Sequence, residues 1–175
     1  MPESLAKDRR LSLRILQLTD LHLSADAGER LKGVPTHHTL RDVVDCVTSG
    51  QRSFDLVVVT GDLTHNGERK AYRAVRDILG DRCAPSQIIP GNHDDRDALR
   101  DVFAGVVPTA SYTLNFSLRA GSWRLIGLDT LEVGSVSGSI SADQLSWLAA
   151  ELTADPGAPT AIFMHHPPVD IGCAW

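Results

Sequence analysis

The chain has 175 residues, 42% of them apolar and 22% charged, with a formal net charge of −5. That length suits one globular domain, and that composition excludes a disordered or fibrous chain. The acidic balance argues against a surface that coats nucleic acid, and no apolar run reaches the roughly 18 residues of a membrane span.

In chain order, Leu13 to Leu18 is apolar and β-prone, a first strand that runs into Asp20-Leu21-His22. Thr36 or Thr39 starts a helix with Leu40, Val43, Val44 and Val47 on one face and Gly50 as its stop; His37 and His38 then fall in a surface loop before it. Asp55 to Thr60 is a continuous apolar run, typical of a strand covered on both faces, and it leads to Gly61-Asp62. Asn66-Gly67 makes a turn, and Glu68 to Leu79 a second helix with Ala71, Val75 and Ile78 inward. Gln87-Ile88-Ile89 is a short third strand closed by Pro90-Gly91, after which come Asn92, His93 and Asp94. Asp94 to Phe103 reads as a helix with Leu99, Val102 and Phe103 inward.

The style then changes. Ser111 to Arg119 alternates through Tyr112, Leu114, Phe116 and Leu118, and pairs with Trp123 to Leu128 across Ala120-Gly121-Ser122 as an antiparallel hairpin. Ser141 and Gln144 form a capping box that opens a helix with Leu145, Leu148, Ala149 and Leu152 inward. Thr160 to Met164 is the last strand, ending at His165-His166-Pro167-Pro168.

This order predicts an α/β fold, parallel at first and then mixed. In open α/β sheets the ligand site lies beyond the carboxyl ends of the strands, and all four polar motifs sit there. Asp20 and His22, two apart in extended chain, are expected to point to one face. Gly61 permits a sharp turn before Asp62, whose two oxygens can bridge two ions. Asn92 offers a carbonyl oxygen and His165 an imidazole. Mixed nitrogen and oxygen donors suit Mn, Fe, Zn or Co and exclude a soft thiolate site. Each motif alone has a bland reading: a polar strand end, a common turn, a helix cap or a surface loop. Four strand ends that each carry a metal-competent residue outweigh those readings.

Several neighbours are read as supporting groups. Asp94 either orients a histidine or caps the next helix. His166, beside a ligand, either reaches substrate or is structural; His65, just past Asp62, either lines the pocket mouth or is a solvated loop residue; and Asp129 braces the core through backbone bonds. The scattered cysteines Cys46, Cys83 and Cys173 contain no Cys-x-x-Cys pair and have no assigned role. With the charged start (Glu3, Lys7, Asp8, Arg9, Arg10) and no secretory h-region, they point to a reducing, cytoplasmic setting.

The phrases Thr19-Asp20-Leu21-His22-Leu23, Thr60-Gly61-Asp62-Leu63-Thr64, Pro90-Gly91-Asn92-His93-Asp94 and Met164-His165-His166-Pro167-Pro168 resemble the calcineurin-like metallophosphoesterase superfamily. Within it the chain is most similar to class III cyclic-nucleotide phosphodiesterases and bacterial glycerophosphodiesterases, with Gln144-Leu145-Ser146-Trp147-Leu148 adding to the match. The resemblance implies an αββα sandwich with mixed sheets over residues 1–175. It also implies two divalent or trivalent metal ions: Asp20 and His22 on the first, Asp62 bridging, Asn92 and His165 on the second. His93 would stay off the metals and serve the leaving oxygen, and a metal-bridging hydroxide would attack a small phosphodiester such as 3',5'-cAMP or a glycerophosphodiester. A histidine at position 93 points away from the lipid A pathway relatives, where arginine is typical. The family's closing Gly-His-x-His has no counterpart after His166, so the expectation is a C-terminally incomplete domain. A shortened remnant that only binds, or a phosphomonoesterase or nuclease of the same superfamily, is the alternative. The sequence leaves a homo-oligomer open and gives no reason for a membrane partner.

Overall fold

Successive apolar side chains of the second strand point to opposite faces, and that sets the architecture. The computed structural model describes residues 13–50, 53–169 and 172. Strands β1 (Ile15–Leu18), β2 (Leu56–Thr60) and β3 (Gln87–Ile89) form one parallel sheet in that order. Val57, Val59 and Ile88 point to one face of it, and Val58 and Ile89 to the other. Both faces are therefore covered, as the unbroken Leu-Val-Val-Val run requires.

The first face receives three helices: α1 (Thr36–Thr48), α2 (Arg69–Leu79) and α3 (Arg96–Val102). Leu40 and Val44, Tyr72, Val75 and Leu79, and Leu99 and Val102 are their core contributions. The second face receives another sheet, β4 (Phe116–Ala120), β5 (Trp123–Gly127) and β6 (Thr160–Phe163). Here β4 and β5 are antiparallel and β5 and β6 parallel. Phe116 and Leu125 meet Val58 and Ile89 between the sheets. Helix α4 (Ala142–Ala154) lies on the outside of the second sheet, completing four layers. The Arg124 guanidinium donates to the carbonyls of Glu151 and Asp155 and holds it there.

Four expectations need correction. The capping residue of α3 is Asp95, which accepts from Ala98 N, because Asp94 is engaged elsewhere. His37 and His38 lie in the first turn of α1, not in a loop: His37 is buried and donates from Nε2 to Ser24 O, while exposed His38 pairs with Asp42. Val43 on the same helix is 38% exposed, because the buried face runs through His37, Leu40 and Val44 and Val43 lies beside it. The expected strand from Ser111 begins only at Phe116. Arg100 donates to the carbonyls of Ser111 and Tyr112 at 2.7 Å and draws that stretch toward α3, leaving Tyr112 exposed over the Arg96 guanidinium.

Helix α4 is rotated by about one residue from the expected face. Gln144, Trp147, Leu148 and Glu151 turn inward, while Leu145 is 51% and Leu152 37% exposed and Ala149 is exposed. The capping box is half made. Ser141 Oγ accepts from Gln144 N, but the Gln144 amide turns inward to pair with both N and O of Asp129 at 2.8 Å. That buried amide pair sets the helix rotation, because an unpaired buried amide would cost more than exposing a leucine.

Candidate metal centre

Beyond their last paired residues, β1 and β2 stay side by side as irregular chain. Asp20 N donates to Gly61 O, His22 N to Asp62 O, Leu23 N to Leu63 O, and His65 N to Leu23 O. Within this ladder Asp20, His22 and Asp62 all have positive φ, at 54°, 46° and 51°. The expected extended Asp-x-His geometry is therefore wrong: the two side chains converge because the backbone turns left-handed at each of them. Asp and His tolerate that region better than most residues, yet each such position stores of order 1–3 kcal/mol.

The two oxygens of the buried Asp62 carboxylate face different partners. Oδ2 lies 3.4 Å from His22 Nε2, and Oδ1 lies 3.6 Å from His165 Nε2 while accepting from His93 N at 3.0 Å. Asp20 Oδ1 is 3.9 Å from His22 Nε2, and its other oxygen accepts from Thr19 Oγ1. Donors about 2.0–2.2 Å from a shared ion stand roughly 3–3.5 Å apart, so the 3.4 Å His22–Asp62 separation matches a shared ion and the 3.6 and 3.9 Å separations lie just beyond that range. Asp20, His22 and Asp62 form one compact donor group. His165 donates Nδ1–H to Thr60 O at 2.9 Å, which leaves Nε2 bare for a ligand and ties the second sheet to the first. Burial lowers the pKa of His22, the larger cause, against the opposing pull of Asp62, so the ring is neutral as a ligand must be. Asn92 stands between Gly91 and His93, both of which touch Asp62.

Two glycines make the approach possible. A Cβ on Gly91 would collide with Asp62 Oδ1 and lie 2.6 Å from Asp62 N and 2.8 Å from His165 Nε2. One on Gly61, at φ 95°, would lie 2.7 Å from Gly91 N and press on the His165 ring.

Asp94 neither caps the helix nor meets a histidine. Its buried carboxylate accepts from Leu63 N, Thr64 N, Gly91 N and Tyr72 Oη, so it clamps the Asp62 loop to the Asn92 loop. Burial pushes its pKa up to about 6, against the lowering effect of Gly91 N and Tyr72. Burial also raises Tyr72, chiefly, with the Asp94 charge adding to it. Asp129 does brace the core, and more strongly than expected. It accepts from Leu114 N and Leu131 N, and also from Arg96 Nε and Nη2 at 2.7 and 2.8 Å. His166 is structural: Nδ1 meets Thr130 Oγ1 at 2.7 Å and its ring packs against Gly138. Cys46 and Cys83 are free thiols, and Cys173 lies outside the described residues.

His65 is not a solvated loop residue. It is half-buried, its ring stacks on His93 at 5.1 Å and 19°, and its carbonyl accepts His93 Nδ1–H at 2.8 Å. Nothing in the sequence at His65 separates this placement from a loop; three residues beyond Asp62 is the sole hint.

Comparison with known proteins agrees with this geometry. Residues 13–175 match the family model described as calcineurin-like phosphoesterase. The chain is 34% identical over 165 residues to the 3',5'-cyclic adenosine monophosphate phosphodiesterase CpdA of Escherichia coli K12, covering 93% of this chain and 58% of that protein. It is 32% identical to a 3',5'-cyclic-nucleotide phosphodiesterase of Nostoc, with 96% and 62% covered. Its identity to the glycerophosphodiester phosphodiesterase GpdQ of Enterobacter lignolyticus is 28%, with 91% and 59% covered. The chain thus spans about three fifths of the length of these relatives. With its matching motifs gathered at one end of an αββα sandwich, the chain belongs to the calcineurin-like phosphoesterase family.

Proposed function

We propose that the chain acts as a metal-dependent phosphodiesterase on small diesters, with cyclic nucleotides such as 3',5'-cAMP first and glycerophosphodiesters second. The observation that carries this is Asp62, whose two oxygens face the two imidazoles His22 and His165 from opposite sides. Asp20, His22 and Asp62 would hold one ion, and Asp62, Asn92 and His165 the other; Mn, Fe, Zn and Co all suit this donor set. Bound there, the ions would neutralise phosphoryl oxygens and acidify the attacking water. The net charge of −5 makes that contribution necessary, because the buried Arg96 is already spent on Asp129.

The protein's own part is positional. Asp62 keeps the two ligand groups in register, and Thr60 O keeps His165 Nε2 turned inward. His93, with Nδ1–H committed to His65 O, has Nε2 left to serve the leaving oxygen. Among the described residues no helix is long and apolar enough to cross a membrane. The free thiols of Cys46 and Cys83 fit a cytoplasmic setting.

The test is hydrolysis of bis(p-nitrophenyl) phosphate with added manganese. We expect turnover that chelation removes and metal restores. His93→Gln should lower kcat on 3',5'-cAMP, whose alkoxide leaves with a proton, about 100-fold with little change in KM, and should largely spare bis(p-nitrophenyl) phosphate. Absence of metal-dependent turnover would sink the proposal.

A further inference from the structure

We infer that His65 is a positioning residue for His93, holding that ring by two contacts of different kinds. The inference rests on the proposed role of His93, and it concerns a residue outside the proposed ion ligands, although His22, His65 and His93 stand close enough together to form a second donor group. The His65 carbonyl lies in the loop ladder, where His65 N donates to Leu23 O and the preceding Thr64 N donates to Asp94. It is therefore a fixed acceptor. Because a carbonyl only accepts, one His93 proton stays on Nδ1 and Nε2 faces the site, where the imidazolium form carries the second proton that passes to the leaving alkoxide and leaves the neutral Nδ1–H ring behind. A ring held at one nitrogen still pivots about that bond. The His65 ring removes this freedom by lying nearly parallel to His93, at 19° and 5.1 Å. His22 completes a triangle of rings, edge-on to His93 at 4.9 Å and to His65 at 5.8 Å.

The side chain of His65 offers its face here. Its Nδ1 is buried and has no hydrogen-bond partner. A phenylalanine would keep the stacked face without breaking a hydrogen bond at that atom, whereas alanine would remove the face and leave the carbonyl in place. The two variants thus separate ring packing from both the backbone contact and the ring nitrogens.

A positioning role has a distinct kinetic signature. p-Nitrophenolate leaves without a proton, whereas the alkoxide leaving group of a ribose diester requires one. Misplacing His93 should hurt the second ester and spare the first. We expect His65→Ala to lower kcat on 3',5'-cAMP about tenfold, to change bis(p-nitrophenyl) phosphate turnover less than about twofold, and to leave KM near its original value. His65→Phe should restore most of the loss. Equal losses on both esters, no loss on either, or failure of His65→Phe to rescue would each overturn the inference.

A second readout needs no turnover. Long-range ¹⁵N–¹H spectra of the metal-free protein, with the His93 signals assigned from His93→Gln, should show one Nδ1-protonated tautomer. His65→Ala should keep that tautomer, because the carbonyl remains, but broaden the His93 ring signals as the ring pivots, and His65→Phe should sharpen them again; unbroadened signals in His65→Ala would overturn the inference. If the unsubstituted chain turns over neither ester but these spectra behave as expected, the phosphodiesterase reading falls and the positioning of His93 stands.

Discussion

Gly91 shows how tightly single residues define the centre. Its missing side chain leaves the space in which Asp62 and His165 meet, so Gly91→Ala must push the carboxylate or the imidazole aside. We expect about tenfold or greater loss of metal affinity with unchanged helix content, read by calorimetry and circular dichroism. Asp94 offers a second test at the same scale. Its folded pKa of about 6 lies above the ordinary carboxylate value of 3.8, because burial favours the neutral carboxyl. Its contribution to stability is therefore full below about pH 4 and is lost as pH rises through about 6. Asp94→Asn is neutral at every pH. The stability advantage of the original metal-free protein over this variant should shrink between pH 4 and pH 7 in denaturant titrations. An advantage that grows across that window would contradict the assignment. Asp20, His22, Asp62, Asn92, His93 and His165 were all legible as a set in the sequence, since each follows a strand. The left-handed backbone at three of them was not, because it depends on hydrogen bonds between loops about 40 residues apart.

At the scale of elements, the buried pair Arg96–Asp129 joins α3 to the segment after β5, and Leu114 N and Leu131 N complete the carboxylate's partners. Arg96→Met would leave Asp129 charged, buried and short of donors. Breaking such a pair costs about 3–5 kcal/mol, a large part of the total for a domain. The denaturation midpoint should fall accordingly, and a shift below about 1 kcal/mol would mean that water replaces the guanidinium. The same junction explains what the sequence showed poorly. Strand and helix order, and the two-sided cover of β2, follow from local periodicity and were correctly expected. The rotation of α4 and the late start of β4 follow from Gln144 on Asp129 and Arg100 on Ser111 and Tyr112, which are tertiary contacts of polar side chains. Apolar periodicity does not register them. Nor did it register that His37, rather than Val43, completes the buried side of α1.

For the whole molecule, two sheets bring four strand ends to one edge, and the His165–Thr60 bond ties them together there. Metal binding should therefore stabilise both sheets at once. Each ion at 100 times its dissociation constant adds about 2.7 kcal/mol, so a pair raises Tm by roughly 11–22 °C for a domain of this size, reversed by chelation. If Asp62 links two ion positions, calorimetric titration of the metal-free chain with Mn²⁺ should give two ions per chain, and Asp62→Asn should lose the paired binding. Binding of a single ion that Asp62→Asn leaves unchanged would contradict that link.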